Sequence, residues 1–232
     1  MKTPIKKEIV DKLVENLGIR DFAKATIREV KQVAAMAEKE SGVEFIKMEM
    51  GIPGLPAAKV GVDAQIKALQ EGIAHSYPDI QGYPELKRQA SRFVKAFIDI
   101  DIKPEGCVPV CGSMQGTFAS FLTCSQADHR KDTVLFIDPG FPVQKMQLQV
   151  QGVKYETFDV YDYRGEKLRG KLEGYLSKGN ICAIVYSNPN NPSWICFNDD
   201  ELRIIGELAT RHDAIVMEDL AYFAMDFRQD LS

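Results

Sequence analysis

From Pro104 onward the chain alternates short apolar runs with helix-length segments, and this alternation narrows the possible folds more than any other feature. CVPVC precedes a helix starting at Ser113, TVLFID a helix after Pro142, VKYETFDV a helix from about Gly165, and ICAIVYS a helix from Asp199; DAIVMED comes last. The runs TVLFI, CAIVY and AIVM are short, unbroken and rich in β-branched residues, as expected of strands covered on both faces in a parallel sheet. The expected class is therefore α/β, a mainly parallel sheet covered by helices on both faces.

The earlier residues are less regular. Apolar positions at mixed three- and four-residue intervals predict a helix over 21–39, ended by Ser41-Gly42. Partial alternation predicts a strand over 43–50, and the glycines and prolines of GIPGLPAA turn the chain into a loop. Helices are predicted over about 62–74 and 83–97, the second with Pro84 in its first turn, where a missing N–H costs nothing. The expected organisation is a helical arm and first strand over 1–50, followed by a larger ligand-binding domain over 51–232.

Composition limits the ligand. With 29 basic and 33 acidic residues, a net charge of −4 and no basic run, neither a nucleic-acid groove nor an anionic membrane surface is indicated; a small molecule is the expected partner. No apolar stretch is long enough to cross a bilayer, and the opening MKTPIKKEIVDKL lacks the apolar run of a secretory signal, so a cytoplasmic location is expected. The five cysteines (Cys107, Cys111, Cys124, Cys182, Cys196) suit reduced thiols better than a disulfide framework. His75, His129 and His212 lack ligand spacing, so no metal site is expected.

In open α/β sheets ligands bind beyond the carboxyl ends of the strands, so the residues that follow each strand carry the functional information. Gly112-Ser113-Met114 stands at a strand-to-helix turn, where free N–H groups and the Ser113 hydroxyl suit a phosphate; the alternative is a serine that caps its helix. Phe141, held between Gly140 and Pro142, could lie flat on an aromatic ligand or simply join the core. Asn190 and Asn191, framed by Pro189 and Pro192, offer donors and acceptors but also suit an ordinary turn. Asp219 follows AIVM and needs a partner, a protonated ring nitrogen on one reading and on the other a neighbouring arginine or the start of the next helix, which it would cap; Tyr222 could reach the same ligand.

Together these strand ends resemble the class I and II aminotransferases, pyridoxal 5'-phosphate enzymes of the aspartate aminotransferase fold. The likeness runs in the family's order from Gly51 to Tyr222. It implies that Gly51, in MEMGIPGLP, lies near the substrate carboxylate. It also implies that Tyr77, ahead of GYPELKRQA, reaches the cofactor phosphate of a neighbouring subunit in a homodimer. By the same resemblance Ser113 and Met114 hold the phosphate and Phe141 stacks on the pyridine ring. Asn191 and Tyr222 then bond its phenolic oxygen, while Asp219 pairs with its nitrogen. The implied reaction moves an amino group between an amino acid and a 2-oxo acid, and the ring accepts the electrons released at the α-carbon.

Two features depart from the family's pattern. Ser193-Trp194 stands where threonine-glycine usually follows the asparagine-proline pair. The family's catalytic lysine, and the arginine that clamps the substrate carboxylate, belong to segments expected beyond Ser232, so no residue here is assigned as the catalytic base and the chain is expected to be a fragment. Three other functions remain open: a carbon–sulfur lyase on the same cradle, a non-catalytic binding module, and a serine hydrolase using Ser113, His212 and Asp219. Against the hydrolase, Cys111 and Gln115 flank the serine where an elbow needs small residues, and the acid follows the histidine.

Overall fold

The computed structural model describes residues 3–48 and 54–223. The chain divides into two compact units, Met1–Tyr77 and Pro78–Ser232.

In the first unit α1 (Lys7–Asn16) and α2 (Ile27–Ser41) are amphipathic, and Leu13, Val33 and Ala37 bury their apolar faces together. The helix predicted over 21–39 is shorter at its start. Asp21 caps a 3-10 turn at Phe22–Lys24, and the helix proper begins after Thr26, whose hydroxyl accepts from the Glu29 N–H while the Glu29 carboxylate accepts from the Thr26 N–H. This reciprocal capping fixes the start more strongly than apolar spacing does. The strand predicted over 43–50 is absent from its described part, 43–48. No strand pairs with it among the described residues; the Phe45 N–H donates instead to Glu38 Oε1 at 2.9 Å, and Phe45 packs on the α1–α2 core. α3 (Lys59–Gln70) completes the helices of this unit.

The second unit opens with α4 (Pro84–Ile98), followed by α5 (Ser113–Ala127), β1 (Thr133–Asp138), α6 (Pro142–Gln151) and β2 (Lys154–Asp159). It continues with α7 (Lys167–Leu176), β3 (Ile181–Ser187), α8 (Asp199–Arg211) and β4 (Ile215–Asp219). The sheet order is β2-β1-β3-β4 and every neighbouring pair is parallel. Alternate residues of the central strands divide between two cores, as a period of two requires. Leu135, Ile137 and Ile184 pack with Leu168, Leu172 and Leu208 of α7 and α8. Val134, Phe136 and Val185 pack with Phe121 of α5 and Leu148 of α6. The α/β class with helices on both faces is therefore what the chain forms.

Two strand expectations are corrected. CVPVC is not a strand: the Cys107 N–H donates to Pro104 O, the Cys111 N–H is taken by Gln115 Oε1 at 2.6 Å, and Val108 and Val110 stay exposed. Its apolar character serves no sheet because no neighbouring backbone completes a ladder. AIVM does form β4, but it is not covered on both faces, since none of Ile215–Asp219 is buried. It is the edge of the described sheet and pairs with β3 alone.

Candidate functional site

Parallel strands all deliver their carboxyl ends to one rim, and side-chain hydrogen bonds there bind the loops to one another. Asn190 Nδ2, in the loop after β3, donates to Pro139 O in the loop after β1 at 2.6 Å. The Asn188 N–H donates to Asp219 O, at the end of β4, at 3.1 Å. Gln147 Nε2 of α6 donates to Met114 O, at the start of α5, at 2.9 Å, and its Oε1 accepts from Thr117 Oγ1 at 2.8 Å. Gln147 and Asn190 are buried and their polar atoms are satisfied, so these contacts fix the relative positions of the loops.

The rim encloses a cleft of about 630 Å³, whose wall includes Ser113, Gln144, Glu218 and Asp219. This size suits a small-molecule ligand. At its α5 end the N-cap is Gly112, with φ 84°, a conformation that glycine adopts without strain. Ser113 is the first residue of the helix rather than its cap, and its hydroxyl makes no hydrogen bond among the described residues. The helix start is tied instead by Gln115, which reaches back to the Cys111 N–H. The N–H groups of Ser113 and Met114 have no partner among the described residues, so the positive end of α5 faces the cleft with free donors.

At the β4 end Asp219 is partly buried. Its Oδ2 accepts from Gln144 Nε2 at 3.0 Å and its Oδ1 from the Ala221 N–H at 3.1 Å. Both donors are neutral, and no lysine or arginine pairs with this carboxylate among the described residues. Glu218 keeps an exposed surface overall, yet its carboxyl is hemmed in: desolvation pushes its pKa up, and the Asn188 amide, donating at 3.1 Å, only partly offsets this.

The other residues singled out in the sequence stand as follows. Phe141 is the N-cap of α6 and 37% exposed, and Met114 is exposed in the first turn of α5; neither belongs to the cleft wall. The Asn191 N–H donates to Ser187 Oγ at 3.4 Å, and the Tyr222 ring meets Trp194 edge-on at 5.6 Å. Both lie on loops that leave the same rim, outside the cleft wall. Tyr77 is fully exposed at the end of the first unit, and Gly51 lies outside the described residues. His212 precedes β4 and approaches Glu173 Oε1 at 2.9 Å. A strand's length, on the order of 15 Å, separates it from the carboxyl-end rim, which removes the serine hydrolase arrangement.

Gln144 was not legible as a functional residue from its type. The available signal was its place, a polar side chain in the first turn of the helix that follows a strand end. Asp138, at the end of β1, is outside the cleft wall; its Oδ2 accepts from both Lys145 Nζ and Thr157 Oγ1, and its Oδ1 is buried without a partner among the described residues.

A parallel sheet with helices on both faces and a ligand cleft at its carboxyl rim defines the architecture, and comparison with known proteins supplies the family. The chain belongs to the aminotransferase class I and II family, whose model matches residues 43–230. It is 27% identical over 191 residues to the glutamate-pyruvate aminotransferase AlaC of Escherichia coli, covering 81% of this chain and 45% of the relative. It is 26% identical over 207 residues to an LL-diaminopimelate aminotransferase of Halothermothrix orenii, covering 88% of this chain and 52% of the relative. Among solved structures, an alanine aminotransferase from Pyrococcus furiosus superposes with a TM-score of 0.72 at 22% identity, over 92% of this chain and 53% of that one. An aminotransferase from Mycobacterium tuberculosis gives 0.71 at 22% identity, over 87% and 51%. These likenesses carry the aspartate aminotransferase fold, and the chain spans about half the length of the curated relatives it matches.

Enzymes of this family generally use pyridoxal 5'-phosphate. The donor set of the cleft fits such a group. One end offers unpartnered helix N-terminal N–H groups to an anion, and the other offers a carboxylate without a cation to a protonated ring nitrogen.

Proposed function

We propose that this chain is the cofactor-binding part of a pyridoxal 5'-phosphate-dependent aminotransferase that moves an amino group between an amino acid and a 2-oxo acid. The observation that carries this reading is that one cleft has in its wall both the free α5 N-terminus at Ser113 and the carboxylate of Asp219, which no described lysine or arginine pairs.

When bound, the cofactor supplies a positively charged ring that accepts electrons from the amino acid's α-carbon. The residues of this chain bind and orient it. The Ser113 and Met114 N–H groups and the Ser113 hydroxyl hold the phosphate, aided by the α5 dipole. Asp219 holds the proton on the ring nitrogen, because a carboxylate beside it favours the charged form. Phe141 covers one face of the ring, and Asn191 and Tyr222 hold the phenolic oxygen. Gly51 leaves room for the substrate carboxylate. In a cytoplasmic homodimer Tyr77 contributes a hydroxyl to the partner subunit's phosphate. The group that moves the substrate's α-proton is assigned to no residue of this chain.

The test is an absorbance titration of the 232-residue chain with pyridoxal 5'-phosphate. The expected outcome is a saturable spectral change, weakened about tenfold or more in Asp219→Ala, a loss of the size typical for a charge-assisted hydrogen bond. An unsaturable change, or equal curves for the two proteins, defeats the reading.

A further inference from the structure

Among the described residues Asp219, at the end of β4, is the one carboxylate of the cleft wall that receives a hydrogen bond from a helix, and the donor is unusual in its burial. Gln144 is 5% exposed, lies in the first turn of α6 and places its Nε2 3.0 Å from Asp219 Oδ2. Burying a glutamine amide costs free energy unless its polar atoms are used, and here the donor is spent on one acceptor. The amide's reach is itself fixed, because the Gln144 N–H donates to Phe141 O at 3.2 Å and the next residue, Lys145, pairs its ammonium with Asp138 at the end of β1.

We propose that Gln144 is a positioning residue that sets the orientation of the Asp219 carboxylate toward the ring nitrogen of the bound cofactor; this rests on the cofactor reading above. The geometry supports a division of labour between the two oxygens. The Ala221 N–H engages Oδ1 from within the same turn, and that single contact leaves the carboxyl group free to rotate about its own axis. A second donor on Oδ2, from an element anchored elsewhere, removes that rotation. Each oxygen keeps a further lone-pair direction for the ligand. Because the amide is neutral, it orients the carboxylate without cancelling its charge, as a lysine or arginine in that place would do. The start of α6 thus carries both its N-cap Phe141, assigned to the ring face, and Gln144 of its first turn, assigned to the partner of the ring nitrogen, so one helix start sets two coordinates of the ligand.

The experiment compares the affinity of the full chain for pyridoxal 5'-phosphate with its affinity for the analogue in which a C–H replaces the ring nitrogen. The ratio of the two isolates the interaction made by that nitrogen. The unaltered chain is expected to prefer the natural cofactor by about tenfold. Gln144→Met, equal in length but without a donor, is expected to reduce this preference by roughly three- to tenfold. Gln144→Glu, equal in shape but with an acceptor in place of the donor, is expected to reduce it at least as far, and it gives an independent reading should the methionine variant fold poorly. In an Asp219→Ala background, Gln144→Met is expected to change the ratio no further, a coupling that a purely structural role would not produce. A preference that survives both Gln144 substitutions overturns the positioning role and leaves the cofactor reading intact. Absence of saturable binding, or of any preference in the unaltered chain, defeats the cofactor reading and this inference with it.

Discussion

β3 and β4 lie side by side in one sheet and read almost alike, ICAIVYS against AIVMED, yet their surroundings differ. All seven residues of β3 are buried, whereas in β4 Ile215 is 48% and Val216 38% exposed. β3 runs between two other strands and two helical layers; β4 has a strand on one side only among the described residues. The chemistry is distributed the same way. β3 ends in a loop whose amides are spent on protein partners, while β4 ends in a carboxylate whose remaining capacity faces the cleft. Stability is concentrated on the sealed side and ligand-directed polarity on the open side, an arrangement expected wherever a site must keep groups that folding alone would not select.

If the sealed side carries the stability, its Arg164–Glu201 ion pair, with the carboxylate buried and the guanidinium partly exposed, is the most damaging place to disturb it. Glu201 is fully buried in α8 and accepts from Arg164 Nε and Nη2, both at 2.6 Å, and from the Gly165 N–H at 2.7 Å. Glu201→Ala removes the carboxylate that Arg164 and two backbone N–H groups share; because the guanidinium can still reach water, the expected cost by urea denaturation is about 3 kcal/mol, the low end for breaking such a pair. The same group gives a pH signature. Burial works to raise its pKa, but the Arg164 hydrogen bonds and the two backbone N–H groups outweigh it and hold the carboxyl at about 2, below its ordinary 4.5. The stabilisation is therefore complete above about pH 5 and is lost as the pH falls toward 2, with a total on the order of 3 kcal/mol. Stability measured between those limits should fall steeply in the unaltered chain and much less in Glu201→Gln; equal slopes would place the acid sensitivity elsewhere.

Apolar truncations sharpen the contrast between the strands. Leu208→Ala, in the core beneath β3, empties a fully buried site and is expected to cost about 3 kcal/mol, the cavity adding to the lost transfer energy. Val216→Ala on β4 removes a group already partly in water and is expected to cost under about 1 kcal/mol. Comparable losses at the two positions would mean that β4 is covered in solution and that the two sides do not differ as described.

The sequence made the α/β alternation legible because strand burial is written as runs of β-branched residues and helix starts as proline or capping residues. It could not separate β3 from β4, since apolar content records what a strand is able to bury and not how many neighbours it acquires. CVPVC failed for the same reason: an apolar run becomes a strand only if another backbone completes its ladder. Thr26 and Glu29 did carry a readable signal, the spacing of a capping box, and it outweighs the apolar periodicity that placed the helix start at Asp21. Within the cleft, Asp219 was legible because it ends a strand and so stands on the rim, whereas Ser113 was placed there by a strand that does not form, and its position comes from the glycine-led start of α5. Gln144 was not legible, because its role comes from a contact between residues 75 positions apart.

The smallest expected effect is the most informative about the open side. Asp219→Asn keeps the side chain's size and leaves the backbone bond from the Asn188 N–H to Asp219 O untouched, but it removes a partly buried charge that no cation balances among the described residues. In a residue selected for stability such a change would be costly; at a site whose charge waits for a ligand it is expected to alter unfolding free energy by no more than about 0.5 kcal/mol, or to raise it slightly. One Oδ atom becomes an amide nitrogen, and rotation of the group can still present its oxygen to Gln144 Nε2. Urea denaturation of the two proteins without ligand, followed by the same measurement with saturating pyridoxal 5'-phosphate, separates the contributions. The variant should match the unaltered chain in the first experiment and gain less in the second, because a ligand stabilises only in proportion to its affinity for the folded form. A loss of 2 kcal/mol or more already in the ligand-free comparison, roughly the cost of breaking a buried charged hydrogen bond, would make Asp219 part of the scaffold and blur the division between the two strands.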